Sequence, residues 1–280
     1  MVRERAGTEP HMTALGYRVA AWLGRMGGIM STTAPTSASL REPQLLGETV
    51  VLLGGSSGIG LETARRARAE GAEVVLVGRD PDRLKRAAEE VDAARTAAFD
   101  AADPGALYRF FDELPGPIDH VLVTSAGNYY ARLTDLDFAQ VRRMVDEHLF
   151  LPIHVARAAI GKVRPPGALL FMGGTGGRRP ALGLVLPGAL TAAGPALIAN
   201  LALELQPVRV NMIAAGFVDT PLSARLLGDD LERRREELRS TLPIRRVVGP
   251  TDVAALAVHL MTNTALTGAT FDIDGGQQLV

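Results

Sequence analysis

The stretch Val50-Val51-Leu52-Leu53-Gly54-Gly55-Ser56-Ser57-Gly58-Ile59-Gly60-Leu61-Glu62-Thr63-Ala64 decides the reading of this chain, because an apolar run breaks into glycines and then takes up a helical pattern. That order predicts a strand, a tight turn and a helix start. The first N–H groups of a helix have no partner within it and lie at the positive end of its dipole, so a turn of this kind suits a pyrophosphate. Glycines let the backbone approach such a group closely. Taken alone, Gly-Gly-Ser-Ser-Gly also reads as an ordinary loop. The surrounding pattern separates the two readings.

From Glu48 onward, short apolar runs alternate with longer helical stretches, the pattern of βαβ units and a parallel sheet. Strands are expected near 49–53, 73–77, 95–98, 119–124, 168–172, 208–213 and 269–273. Helices are expected at about 58–70, 80–91, 103–114, 135–162, 188–206 and 250–261. Right-handed crossovers then give an α/β, doubly wound parallel sheet in three layers, with the ligand beyond the strand C-termini. Residues 216–245 interrupt the alternation and are placed to form a lid; their Glu232-Arg233-Arg234-Arg235-Glu236-Glu237 run reads as a solvated helix face.

Residues 45–280 are read as one domain and residues 1–44 as a flexible N-terminal extension. Within the extension, 13–26 has the pattern of a short amphipathic helix, while Glu4 and Glu9 argue against an import peptide. Met30 is an alternative start of the chain. The 30 basic and 31 acidic residues nearly cancel, so no global field favours nucleic acid or an anionic membrane. Cysteine is absent, which removes disulfides and thiolate chemistry, and the five scattered histidines do not suggest a metal site. No apolar run is read as approaching the roughly 20 residues that cross a bilayer. A soluble, cytoplasmic protein without a membrane or nucleic-acid partner is expected.

After the second strand comes Val77-Gly78-Arg79-Asp80. A carboxylate closing this strand accepts from a ribose 2′-hydroxyl, whereas an arginine suits a 2′-phosphate through fork-shaped, charge-assisted bonding. Arg79 therefore argues for NADP, and the neighbouring Asp80 keeps NAD open as the less favoured cofactor.

With these residues in hand, the chain from about Glu48 to Val280 resembles the short-chain dehydrogenase/reductase family, whose domain is Rossmann-like. The resemblance is carried by Gly54-x3-Gly58-Ile59-Gly60, by Phe99-Asp100 and by Thr124-Ser125-Ala126-Gly127. Further along it is carried by Val210-Asn211-x3-Ala215-Gly216-x3-Thr220-Pro221 and by Thr267-Gly268-x4-Asp272-Ile273-Asp274-Gly275-Gly276. The resemblance implies that Ser56, Ser57 and Ile59 line the phosphate turn and that Asp100 bonds the adenine amine. It implies that Ala126 and Gly127 pack under the adenosine ribose, and that Val218 and Thr220 reach the nicotinamide carboxamide. It also implies a homo-oligomer, dimer or tetramer, built on the helices near 135–162 and 188–206.

The family's hydride transfer to a carbonyl is assisted by a Tyr, a Lys four residues later, a Ser thirteen before the Tyr, and an Asn on the preceding helix. Here those positions fall on Pro187, Thr191, Gly174 and His148. The only lysines are Lys85 and Lys162, outside the relevant segment, and none of the four tyrosines lies there. Two readings follow. In one the protein is still an oxidoreductase acting on a small molecule, with His148, Thr175, Tyr129 or Tyr130 near the nicotinamide, or with an activated alkene that needs less proton donation. In the other it is a catalytically inactive homologue that senses dinucleotide or partners an active relative in a hetero-oligomer. The glycine block at 173–177 and Pro187 are expected to leave extra room for a bulky substrate.

Overall fold

Seven parallel strands, in the order β3-β2-β1-β4-β5-β6-β7, make up the sheet of the computed structural model, which describes residues 42–280. The expectations for residues 13–26, for the linker before the domain and for Met30 lie outside the described residues. Residues 43–280 cluster as one compact unit.

The strands are β1 (Thr49–Leu53), β2 (Glu73–Gly78), β3 (Arg95–Ala98), β4 (Ile118–Val123), β5 (Val163–Gly174), β6 (Arg209–Ala215) and β7 (Thr270–Ile273). Helix α1 (Gly58–Ala69) crosses from β1 to β2, and α2 (Pro81–Val91) and α3 (Pro104–Glu113) make the next two crossovers. Strand order reverses beside β1, where β2 and β4 flank it, so the crevice at the strand C-termini opens at the β1–α1 turn.

Alternation along the strands supplies both faces of the core. Val50 and Leu52 join Leu76, Leu122 and Leu170 in one buried cluster. Val51 and Leu53 join Val121, Leu169, Phe111 and Phe171 in the other. At the far end of the sheet, His120 is only 3% exposed and is held by Glu48 through Nε2 (2.8 Å), while its Nδ1 accepts from Ala168 N–H (3.1 Å). Both ring nitrogens are therefore used in structure.

The helix expected over 135–162 is divided. Helix α4 (Phe138–Val145) passes into a π-helical turn, Asp146–Phe150, before α5 (Leu151–Ala159). Leu151 N–H reaches back to Asp146 O, five residues away, and the next residue, Pro152, has no N–H for the ordinary helical bond to His148 O. The wide turn accommodates that missing donor.

Helix α6 (Val185–Glu204) corrects the expectation that no segment has the length and composition to span a bilayer. Its 20 residues are uncharged as far as Glu204, and only 17% of its most apolar window is buried within the chain. Alanine, glycine, threonine and proline dilute the apolar residues, which hid the run from a reading based on strongly hydrophobic side chains.

The 216–245 excursion contains α7 (Pro221–Leu227) and α8 (Leu231–Thr241), and α9 (Pro250–Thr262) follows it. Val218 pairs with Val248 across its base.

Candidate functional site

Strand β1 leads directly into the glycine turn. Gly54 has φ +100°, and a Cβ there would sit 2.5 Å from Thr124 Oγ1. A Cβ on Gly60 would collide with Gly54 O and lie 2.8 Å from Thr124 Oγ1. The spacing of these glycines is thus set by the close passage of α1 over the end of β4. Gly58, at φ +56°, faces Thr220, whose Cβ would be 3.6 Å from an added methyl group. The turn after β1 and the turn after β6 are therefore neighbours across the crevice.

Ser57 is the N-cap of α1, yet its side chain makes no capping hydrogen bond, so the first-turn N–H groups are left for another acceptor. Ser56 Oγ lies 2.9 Å from where a Cβ on Gly78 would stand, which brings the turn against the end of β2. Ile59, partly buried, packs on the core below. Ser125 Oγ is buried with no hydrogen-bond partner. Open amides beside a buried orphan hydroxyl fit a polar, anionic ligand, as the dinucleotide of the family requires.

Arg79 follows β2 and lines a cavity of about 160 Å³ with Gly127, Tyr129, Arg143 and Glu147. Asp80, by contrast, is committed to α2: its carboxylate accepts from Arg83 N–H (3.0 Å) and Arg83 Nη2 (2.9 Å). Those bonds, the backbone one foremost, hold its pKa below the usual carboxylate value. The carboxylate adjacent to Arg79 is thus occupied in capping.

Asp100 accepts from Ala102 N–H (3.1 Å) and from Arg143 Nη2 (2.8 Å). Burial works to raise its pKa, but Arg143 and the amide outweigh it, and the net direction is down. Arg143 also donates to Glu147 (2.7 Å), whose side chain is 5% exposed. Glu147 in turn accepts from Gly127 N–H (2.6 Å), and His148 Nε2 lies 2.8 Å from Gly127 O. Because a carbonyl only accepts, that ring nitrogen carries the proton. The Ala126-Gly127 turn is held from both sides by consecutive residues of the π turn. Sequence reasoning did not single out Glu147 or Arg143; the Arg-x3-Glu spacing on one helix face was the available signal.

Tyr129 is a strut of its own loop: its hydroxyl donates to Asp135 O (3.2 Å) and accepts from Asp137 N–H (2.8 Å). Tyr130 is 54% exposed. Val218 is buried, and Thr220 caps α7 through a reciprocal bond with Ser223, Ser223 N–H to Thr220 Oγ1 (3.3 Å) and Thr220 N–H to Ser223 Oγ (2.8 Å).

The wall formed by β5 and α6 corrects the expectation of extra room. A Cβ on Gly174 would stand 3.0 Å from Thr191 Cγ2, one on Gly173 would meet Met212 Sδ at 2.6 Å, and one on Gly177 would meet Gly188 O at 2.8 Å. Gly174 and Gly177 admit the close approach of α6, and Gly173 that of Met212 on β6, instead of opening a hollow. Pro187 is buried in the first turn of α6, where a missing N–H costs nothing. Thr191 Oγ1 donates back to Pro187 O (2.8 Å) and Gly188 O (3.2 Å). Thr175 follows Gly174 and is half-buried; no hydrogen-bond partner for its hydroxyl is found among the described residues. Beyond it, Arg178 forms a two-pronged pair with Asp272 and also bonds Gln278 (3.1 Å), tying the loop to the C-terminal segment. Among the described residues no cluster of His, Asp and Glu is disposed to hold a metal ion.

A family profile described as enoyl-(acyl carrier protein) reductase matches residues 54–278. A short-chain dehydrogenase/reductase of Stachybotrys chlorohalonatus is 26% identical over 257 residues, spanning 84% of this chain and 98% of its own. An NADP-dependent (R)-specific alcohol dehydrogenase of Lentilactobacillus kefiri is 30% identical over 251 residues, covering 83% and 97%. Among solved structures, a small-chain dehydrogenase in complex with NADPH superposes with a TM-score of 0.72 at 25% identity, covering 84% of this chain and all of that one.

Proposed function

Because the chain belongs to the short-chain dehydrogenase/reductase family, we propose that it binds NADP(H) at the β1–α1 turn and reduces a small molecule whose acceptor carbon needs no proton from a tyrosine, an activated alkene above all. One observation carries this reading: uncapped α1 amides, the orphan Ser125 Oγ and the cavity-lining Arg79 offer groups suited to a phosphorylated nucleotide, while the opposite wall presents Gly174, Pro187 and Thr191. When bound, the cofactor supplies a hydride at its nicotinamide ring.

The chain's own residues have separable tasks. The α1 amides and Ser56 hold the pyrophosphate, and Arg79 meets the 2′-phosphate, with Asp80 withdrawn into its cap. Gly127, clamped by Glu147 and His148, forms the floor under the adenosine ribose. Val218 and Thr220 are assigned to the nicotinamide end, Thr220 standing across from Gly58. Hydride addition to the β-carbon of a conjugated alkene sends the C=C electron pair to the remote carbonyl oxygen as an enolate, which a single hydrogen-bond donor such as the Thr175 hydroxyl would stabilise, and water then protonates the α-carbon. Simple carbonyl reduction, in contrast, needs the proton donor that this wall lacks; loss of such a group costs on the order of 10²–10⁴ in rate. The enoyl reductase description of the family profile and the NADP dependence of the Lentilactobacillus relative agree with this choice. The uncovered apolar length of α6 supports assembly as a homo-oligomer.

Titrating the full chain with NADPH and with NADH, followed by nicotinamide fluorescence and thermal stability, tests the cofactor. Binding should favour NADPH and raise stability by about 2.7 kcal/mol at a hundredfold excess over Kd. Consumption of NADPH with an α,β-unsaturated ketone and not with its saturated counterpart is the result expected of an alkene reductase. Binding without turnover of any acceptor replaces that reading with the non-catalytic one, a dinucleotide sensor or a hetero-oligomer partner.

A further inference from the structure

The lid helix α8 is strongly charged, and most of its charges are spent within the lid. Arg233 pairs with Asp230, Arg234 with Glu237, and Arg239 with Glu232 and Glu236. Arg235 alone among these arginines reaches back to the turn that follows β6. Its Nε and Nη2 donate to the two carboxylate oxygens of Asp219 at 2.9 and 2.8 Å, in fork-to-fork geometry, while Nη1 keeps a bond to Glu232 (3.0 Å). The two side chains are 29% and 30% exposed, so the pair is shielded more than the other ion pairs of the helix.

Asp219 lies between Val218 and Thr220, the residues assigned to the nicotinamide end. Other bonds to this turn come from its own vicinity, from the segment before α9 and from the C-terminal turn. Phe217 N–H donates to Gln277 Oε1 (2.9 Å), Asp219 N–H to Val248 O (2.9 Å), and Ser223 Oγ to Val218 O (2.8 Å). Arg235 is thus the side chain through which α8 grips the turn, across sixteen residues of sequence. A planar, bidentate pair of this sort fixes orientation as well as distance, which a lysine point charge does not.

We infer that Arg235 is a positioning residue: by clamping Asp219 it couples closure of the lid to the alignment of Val218 and Thr220 against the nicotinamide half of the dinucleotide. The inference rests on the proposed NADP(H) reading for its ligand. The full chain carrying Arg235→Gln should bind NADPH about tenfold more weakly, while its affinity for 2′,5′-ADP, which lacks the nicotinamide half, stays within about twofold of the parent. Arg235→Lys should be intermediate. Without nucleotide, amide hydrogen exchange at Asp219 and Thr220 should accelerate in Arg235→Gln and stay unchanged in α9. Equal losses of NADPH and 2′,5′-ADP affinity would overturn the inference, as would faster exchange with NADPH affinity unaltered or exchange that does not respond. A parent protein that binds neither nucleotide refutes the cofactor reading instead, and the exchange comparison still decides whether Arg235 orders the turn.

Discussion

The two walls of the crevice are built from different materials. On the β1–α1 side, the proposed recognition is by backbone: Gly54 and Gly60, which have no room for a Cβ, amides that no side chain caps, and one arginine after β2. On the β5–α6 side, Gly174, Pro187 and Thr191 are the positions that align with the family's reacting side chains, and α6 packs closely against Gly174 and Gly177. A wall made of backbone geometry cannot change piecemeal, because any substitution there collides with the fold. A wall whose work is done by side-chain tips can lose each tip and repack. On the proposed reading, binding and chemistry in this crevice rest on separate parts of the structure.

The sharpest way to break the comparison is Gly60→Ala. Its Cβ has nowhere to go but into Gly54 O and Thr124 Oγ1, both part of the β1–β4 junction. We expect destabilisation of about 2–3 kcal/mol and loss of detectable NADPH binding, read by thermal unfolding and fluorescence titration. If Gly60→Ala binds normally, the turn does not approach the nucleotide and the backbone account of that wall is wrong.

Next in size is Arg79→Leu. Removing a charge-assisted contact to a 2′-phosphate should weaken NADPH by about 10- to 100-fold and leave NADH nearly unchanged. An equal loss for both would place Arg79 outside the 2′ position.

On the opposite wall, Gly174→Ser forces its Cβ against Thr191 Cγ2, and we expect a cost of about 1 kcal/mol by chemical denaturation. Thr191→Ser removes that methyl group, so the double variant should recover most of the loss. The triple variant Gly174→Ser, Pro187→Tyr, Thr191→Lys should regain carbonyl reduction only if α6 can withdraw; its failure on generic diketones would show that packing, beyond missing groups, bars the reaction.

The smallest effect concerns two helix caps, those of α2 and α9. Asp80 and Asp252 are held below the ordinary carboxylate pKa, Asp80 first by the Arg83 amide and Asp252 first by the Arg246 guanidinium. A group depressed in the folded state adds stability above its unfolded pKa of about 4 and loses it as pH falls through the folded value. Stability should therefore be level from neutral pH to about pH 5 and decline below about pH 4. Asp80→Ala should lower stability at neutral pH through loss of the cap and flatten part of that decline.

Much of this molecule is legible in one dimension. The strand–turn–helix of residues 50–64, the alternation that gives seven strands, Arg79 after β2 and the absence of a tyrosine or lysine near 187–191 all follow from residue type and local spacing. They do so because glycine freedom, hydrophobic periodicity and the lack of a functional group are properties of short windows. The tertiary structure alone decided which residues meet. Asp80 belongs to a cap, Glu147 and His148 clamp Gly127, Arg235 reaches Asp219, and Thr191 fills the place that the glycine block was expected to leave open. These outcomes depend on how closely α6 approaches β5, on the wide turn imposed by Pro152 and on where the lid folds back. Such distances are set by packing between segments remote in sequence, and no window of the chain contains both partners.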